Sequence, residues 1–165
     1  MLEMYIVSLI LVAVVSLLDA TYECSKPASV NMSVSRSQAV FSGEVISEEY
    51  RDVKEGSLGE PANAKALVIK LKIKRWWKGN GAEEIELNTS VRKYPDGTQS
   101  VMAEDFRFRK GENYLVYAYA EGEKLRTNGC TRTKRLTDAE EDLLELGEGK
   151  LPGKANPSSV PAKPN

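Results

Sequence analysis

The clearest pattern along the chain is an alternation of apolar and mostly polar positions between residues 67 and 74. Leu67, Ile69, Leu71 and Ile73 alternate with Val68, Lys70, Lys72 and Lys74. This period of two predicts a β-strand with one buried and one largely solvated face. The run ends at Lys78-Gly79-Asn80-Gly81, which is a strong turn signal.

Four further segments have the composition of strands: residues 39–47, 84–89, 114–120 and 124–127. Gly43 interrupts the first of them, and a glycine inside a strand often marks a bulge or a sharp bend. The segment 114–120 is the most apolar, which predicts a central strand. A turn at residues 121–123 would join it to 124–127 as a hairpin.

One helix is predicted near the end of the domain, and a second, shorter one is a candidate at its start. Thr137 and Glu140 fit a capping box, with Thr137 as N-cap, and Gly147 stands where a C-cap glycine is expected. The apolar face of this helix would consist of Ala139, Leu143, Leu144 and Leu146. The candidate short helix covers residues 28–37. The five strands and the terminal helix together predict a mainly β fold, a five-stranded closed barrel of the OB type.

The remaining segments are predicted to be two internal loops and a C-terminal tail. Residues 48–63 and 92–105 are polar, contain Gly and Pro, and are predicted to be long loops. Residues 148–165 are rich in Pro, Gly, Lys and Ser, which predicts a disordered tail. The folded domain is therefore expected to span residues 21–147.

The first 20 residues resemble an export signal. Residues 5–18 form an apolar run broken only by Ser8 and Ser16, which is too short to span a bilayer but suits a signal peptide. Cleavage after Ala20 would make Thr21 the first residue of a secreted, extracellular or periplasmic chain. The residues before the run carry no Lys or Arg, so a start at Met4, an atypical signal and a buried N-terminal helix or strand stay open.

The chain has two cysteines, Cys24 and Cys130. In an exported protein they are expected to form one disulfide, which ties the start of the mature chain to the end of its core. Closing a loop of about a hundred residues is worth roughly 4–5 kcal/mol on the loop-entropy model. The alternative is two unrelated buried thiols.

Composition narrows the functional classes. The chain has 23 basic and 24 acidic residues and no histidine. Removing Glu3 and Asp19 with the signal leaves 22 acidic residues and a net charge of +1, which gives no general field for nucleic acid or anionic membranes. Without histidine, the usual general base and the commonest zinc ligand are missing. We therefore expect no enzyme, no cofactor and no metal site. The acidic pairs at 48–49, 83–84, 104–105 and 140–142 are interpreted as solvated loop, turn or helix positions.

Five segments, taken in order, resemble the TIMP-like branch of the netrin-module (NTR) superfamily, whose domains have an OB fold. The resemblance covers residues 24–147 and rests on residues 39–45, 77–79, 108–118, 125–133 and 142–147. Such domains usually open with Cys-x-Cys and carry a third cysteine ahead of the Phe-x-x-Gly strand. Here Tyr22 occupies the first of these positions and Glu104-Asp105 the third. Because those two family cysteines normally pair with each other, Cys24–Cys130 would be the surviving bond.

The resemblance implies a monomeric, secreted protein-binding module. Tissue inhibitors of metalloproteinases chelate the catalytic zinc of their targets through a mature N-terminal cysteine. This chain would begin at Thr21 and has Tyr22 at the matching position, so the resemblance suggests metalloendopeptidase inhibition while the chelating residue is missing. The expected partner is an extracellular or periplasmic protein, with a protease as one candidate and no nucleic acid. After signal cleavage the chain itself is expected to have no membrane anchor. The candidate binding residues are Thr21, Tyr22, Glu23, Cys24, Tyr50 and Trp77.

The alternative is binding of a polyanion or single-stranded nucleic acid on the barrel face. OB folds combine basic grooves with aromatic platforms. Residues that fit this interpretation are Lys70, Lys72, Lys74, Trp76 and Trp77. The same lysines also fit a solvated strand face that blocks edge pairing.

Overall fold

The structure is a computed structural model that describes residues 28–53 and 63–153. The segment 1–20, the residues Thr21 to Cys24 and the end of the predicted tail lie outside this part. The first helix, α1, is Val30–Arg36. The strands are β1 Ala39–Asp52, β2 Lys65–Lys78, β3 Glu84–Lys93, β4 Gln99–Ser100, β5 Asn113–Glu121, β6 Lys124–Arg126 and β7 Lys134–Arg135. A 3-10 turn, Leu136–Asp138, precedes the last helix, α2, at Glu140–Leu146.

Five of the strands form a ring. β1 pairs with β2 and β2 with β3, all antiparallel. β3 meets β6 in parallel at Leu87 and Leu125, β6 pairs with β5, and β5 pairs with β1 to complete the ring. The short strands β4 and β7 are added to β3 and β5. The predicted mainly β class is confirmed, as are the terminal helix and the candidate short helix.

The alternation in β2 has the predicted consequence. Ile69, Leu71 and Ile73 are at most 4% exposed and pack into the core inside the ring, whereas Lys72 and Lys74 point to solvent. A second core cluster lies between the ring and the helices and is built on Val40, Leu115, Tyr117 and Ala139. β1 and β5 are therefore buried on both faces where they pair with each other, which agrees with the apolar sequence of β5.

Gly43 lies where β1 bends, as its position in the strand predicts. The register between β1 and β2 shifts between Ser42 and Gly43. A Cβ atom at Gly43 would lie 2.9 Å from the Lys72 carbonyl oxygen and 3.2 Å from Ile73 Cδ1. The close approach of β2 therefore requires glycine at this position.

The start of the terminal helix differs from the prediction. Thr137 lies in the 3-10 turn, its hydroxyl donates to the Asp138 carboxylate, and Ala139 is the N-cap of α2. The capping box is therefore wrong. Ala139, Leu143 and Leu146 pack against the core as predicted, whereas Leu144, also predicted for that face, is 79% exposed. Gly147 is the C-cap with φ +72°, as predicted.

Both predicted long loops are shorter than expected. β1 continues to Asp52, so residues 48–52 are strand. β3 and β4 form a hairpin within 92–105, around the predicted turn in which the Gly97 amide donates to the Tyr94 carbonyl at 3.0 Å. Residues 148–153 of the predicted tail run along the ring, where Lys150 and Trp76 exchange two backbone hydrogen bonds. Across the described residues, no helix is long and apolar enough to cross a membrane.

Candidate functional site

The structure describes two of the candidate binding residues, Tyr50 and Trp77, and it does not bring them together. Tyr50 is opposite Leu67 at one end of the β1–β2 ladder. Trp77 lies ten positions farther along β2, at the opposite end of that strand. Thr21, Tyr22, Glu23 and Cys24 lie outside the described residues, and their roles stay predictions.

The two tryptophans have structural contacts. Trp76 is 3% exposed, its Nε1 donates to the Ala82 carbonyl at 2.9 Å, and its ring centroid lies 5.1 Å from that of Phe41. Trp77 is half-buried, and its Nε1 donates to the Gly147 carbonyl at 2.9 Å. The prediction that one of the pair is in the core is confirmed for Trp76. Trp77 holds the end of α2 against the sheet, so little of its indole is open to a partner.

The basic stripe on β2 is partly neutralised by acidic neighbours. Lys70 forms an ion pair with Glu84, which raises the pKa of Lys70, and Lys74 lies 3.3 Å from Glu44. Trp76, proposed above as a stacking platform, is buried and faces the core. The stripe therefore lacks the aromatic surface that single-strand binding needs.

Tyr50 borders a cavity of about 290 Å³ at the open end of the ring. Its apolar walls come from β2, β3 and the segment that follows β4, namely Leu67, Ile69, Val91, Val101, Phe106 and Phe108. The three aromatic rings of Phe106, Phe108 and Tyr114 stack edge to face behind it, with centroids 4.9–5.6 Å apart. Lys93 Nζ lies 5.5 Å from the centroid of the Tyr50 ring. This mainly apolar cavity is therefore the candidate site beside Tyr50.

The loop beside this cavity is fixed by polar contacts. The Ser90 hydroxyl donates to one oxygen of the Asp105 carboxylate, and the Met102 amide donates to the other at 2.8 Å. The Gly129 amide donates to the Glu104 carbonyl at 2.6 Å. This last contact joins the cavity rim to the exposed turn that carries Cys130.

A buried carboxylate, Asp142 of α2, binds the residues that follow Cys130. It is fully buried and accepts hydrogen bonds from Arg132 Nη2 at 2.6 Å, Arg132 Nε at 2.9 Å, Lys134 Nζ at 2.9 Å and the Tyr117 hydroxyl at 2.8 Å. Burial alone would raise the pKa of Asp142, but these donors lower it to about 2. Burial also raises the pKa of Tyr117, and the hydrogen bond to Asp142 adds to that shift. The prediction that residues 140–142 form a solvated acidic run is wrong for Asp142.

The Arg132 guanidinium, which is bonded to Asp142, also contacts the first described residue of the chain. Arg132 Nη1 donates to the Ala28 carbonyl at 2.9 Å. Ala28 lies four residues after Cys24, and Arg132 lies two residues after Cys130. The contact therefore places Ala28 close to the segment that follows Cys130. The acidic run 140–142 does not predict this contact from the sequence, because the contact depends on where α2 packs.

A larger cleft of about 950 Å³ lies where β1, β3 and the β5–β6 turn meet. Its charges are largely paired within the protein. Arg51 bonds both Glu49 and Glu86, and Arg126 lies 2.8 Å from Glu121. Within residues 28–53 and 63–153, no group of three or more His, Cys, Asp or Glu residues could hold a metal ion.

The chain matches no family model, and no curated protein is significantly similar to it.

Proposed function

We propose that this chain is an exported protein-binding module of the TIMP-like branch of the netrin-module superfamily, and that its ring of five strands is an OB-type barrel. The support is the order of the five similar segments in the sequence, together with a five-stranded ring followed by a terminal helix. The module works outside the cell or in the periplasm, as a monomer that carries no cofactor.

The observation that carries the proposal is the contact between Arg132 and Ala28. Four residues of extended chain reach at most about 14 Å, and this length allows a bond between Cys24 and Cys130. Cys130 is exposed two residues before Arg132, and the neighbouring Gly129 amide bonds the Glu104 carbonyl, next to Asp105 of the Tyr50 cavity. The proposal is that a Cys24–Cys130 disulfide ties residues 21–24 to this turn, and that this N-terminal arm and the cavity together bind the partner.

The proposed mode of binding differs from that of tissue inhibitors of metalloproteinases. Those proteins need a free cysteine amine at the first position, and here Thr21 would be first and Tyr22 replaces the cysteine. We propose that this module binds its protein partner through side chains and backbone of the arm and the cavity rim, without chelating zinc. In a metalloendopeptidase assay, any inhibition is then expected to survive acetylation of the N-terminal amine.

Site-specific photo-crosslinking in the producing organism tests the proposal. A photoreactive phenylalanine analogue is placed at Tyr22 or Tyr50, and at Lys72 as an exposed control on the opposite strand face. Covalent adducts with the same protein at Tyr22 and Tyr50, but not at Lys72, are expected. Adducts that are absent at both test positions, or equally strong at Lys72, would contradict the proposed surface.

The polyanion alternative has less support, because Lys70 and Lys74 are paired with glutamates and Trp76 is buried. A heparin column separates the two functions. We expect no retention at physiological salt, whereas a strongly salt-dependent retention that is lost in Lys72→Glu would favour the alternative.

A further inference from the structure

The outer edge of β1 presents backbone groups that have no hydrogen-bond partner among the residues that the structure describes. The pairs of the β1–β2 ladder alternate in hydrogen bonding, and the Val53 amide bonds the Ala64 carbonyl. It follows that Arg51 and Glu49 direct their amides and carbonyls toward β2, whereas Glu48, Tyr50 and Asp52 direct theirs away from it. No hydrogen bond to these outward groups is present within the described residues.

The neighbouring strand leaves this edge open. β5 pairs with β1 only as far as Glu44, after which Val45 bonds Glu112 and Gly111. Next along the chain, the Lys110 amide bonds the Glu48 carboxylate at 2.8 Å and not the Glu48 backbone. An unpaired edge of this kind can accept another extended chain through its main chain.

The Tyr50 cavity opens beside this edge and is small. Its volume of about 290 Å³ is below the range of about 300–1,000 Å³ that is usual for small-molecule sites. Most of its wall is aliphatic and aromatic, and Val101, which lines it, is 44% exposed. One or two apolar side chains of an added strand would fit it.

Basic side chains follow the cavity along the segment after β4. Arg107 lines the cavity, and Arg107, Arg109 and Lys110 are exposed. Among the nearby acidic groups, Glu49 and Asp52 are ion-paired with Arg51 and Lys65, whereas Glu48 and Asp105 keep their charge and accept hydrogen bonds from neutral donors. A peptide with acidic residues next to its apolar ones would complement this surface.

We propose that the β1 edge between Glu48 and Asp52 binds an extended acidic and apolar segment of the protein partner as an added strand. The segment would bond the outward backbone groups, insert an apolar side chain beside Tyr50 and place a carboxylate near Arg107. This inference rests on the proposed protein-binding function and names the partner segment. A second copy of the chain fits less well, because pairing two identical edges would bring the two arginine-rich segments together.

The test uses the full exported chain and a displayed library of random ten-residue peptides. We expect enrichment of sequences that alternate apolar residues with Asp or Glu. An enriched acidic peptide should bind Arg107→Glu about tenfold more weakly, because a charge-assisted contact becomes a repulsion. Lys72→Glu, which makes the same charge change on an exposed site away from the cavity, should change binding less than about twofold.

A second pair of variants isolates the backbone contact. Tyr50→Pro removes the outward amide and the ring, whereas Tyr50→Ala removes the ring alone, and proline is tolerated on an edge strand. Binding should be about fivefold weaker in Tyr50→Pro than in Tyr50→Ala, with both thermal transitions intact. Absence of enriched peptides, equal binding by the two variants, or dimers in sedimentation that disappear in Tyr50→Pro would each overturn the inference. Partner crosslinking at Tyr22 that survives in Tyr50→Pro would show that the module still binds and that only the edge proposal fails.

Discussion

At the scale of single residues, Asp142 shows how far burial can change the meaning of a sequence. In the run Glu140-Glu141-Asp142 the three acids look equivalent, yet Glu140 and Glu141 are exposed and Asp142 is fully buried. Asp142 holds Arg132, Lys134 and Tyr117 in one network, and through Arg132 it fixes Ala28. The sequence could not single it out, because its environment comes from β5 and from the segment around β7.

Replacing Asp142 with asparagine should lower the free energy of unfolding by about 3 kcal/mol, because removing one partner of a buried ion pair leaves the others uncompensated. Glu141→Gln makes the same chemical change at an exposed neighbour and should cost less than about 0.5 kcal/mol. Urea unfolding at neutral pH measures both values. Equal losses of unfolding free energy in the two variants would show that the Asp142 network does not stabilise the fold.

The pKa of Asp142 gives a pH dependence with a definite sign. Its pKa falls from 3.8 to about 2 on folding, so the folded state binds fewer protons at acidic pH. The stabilisation is present above the unfolded pKa and is lost as the pH falls toward 2. It amounts to about 2 kcal/mol. The stability difference between the wild type and Asp142→Asn should therefore shrink between about pH 5 and pH 2. A difference that is constant across this range would contradict the assignment.

At the scale of elements, local patterns predicted strands better than helix ends. The alternation of β2 placed Ile69, Leu71 and Ile73 in the core, and Gly43 marked the bend of β1. The capping box failed because Thr137 and the residues around it form a 3-10 turn, which moves the start of α2 to Glu140. A pattern of four residues cannot distinguish a helix capped by Thr137 from one capped by Ala139. The structure buries Ala139 in one core cluster with Tyr117, a contact between residues that lie far apart in the sequence.

Gly43→Ala tests the bend in β1. The added Cβ would lie 2.9 Å from the Lys72 carbonyl oxygen, so one of the two strands must shift, and we expect a loss of about 1–3 kcal/mol. Gly153→Ala is the control, because nothing lies within 4 Å of its Cβ position. Thermal unfolding of the two variants gives the comparison. A Gly43→Ala protein as stable as the control would mean that β1 does not need a glycine at its bend.

At the scale of the whole molecule, the sequence predicted the class of fold but not how the ring closes. Pairing of β1 with β5 joins residues that are about 75 positions apart, and no local period reports such a contact. The candidate site was predicted only in pieces. Tyr50 was named from the sequence, but the cavity beside it was not predicted. Trp77 donates its indole N–H to the Gly147 carbonyl at the far end of β2, and the outward edge of β1 follows from a register that only the structure shows.

The proposed disulfide also belongs to this scale, because it would close most of the chain into one loop. Replacing Cys24 and Cys130 together with serine should lower the free energy of unfolding by up to about 4–5 kcal/mol. The double replacement leaves no unpaired thiol, so the comparison reports the bond itself. Unchanged stability in the double variant under oxidising conditions would argue that the two cysteines are not bonded in the folded protein.

Intact mass and N-terminal sequencing of the exported protein, with and without reductant, show whether a cleaved N-terminal arm is tied to the domain. We expect a chain that begins at Thr21 and gains 2 Da on reduction, as one intramolecular bond between Cys24 and Cys130 requires. An uncleaved chain with two free thiols would contradict both the export signal and the tied N-terminal arm. A chain that begins at Tyr22 or Cys24 would instead restore the free amine that zinc chelation needs, and the non-chelating mode of binding would be wrong.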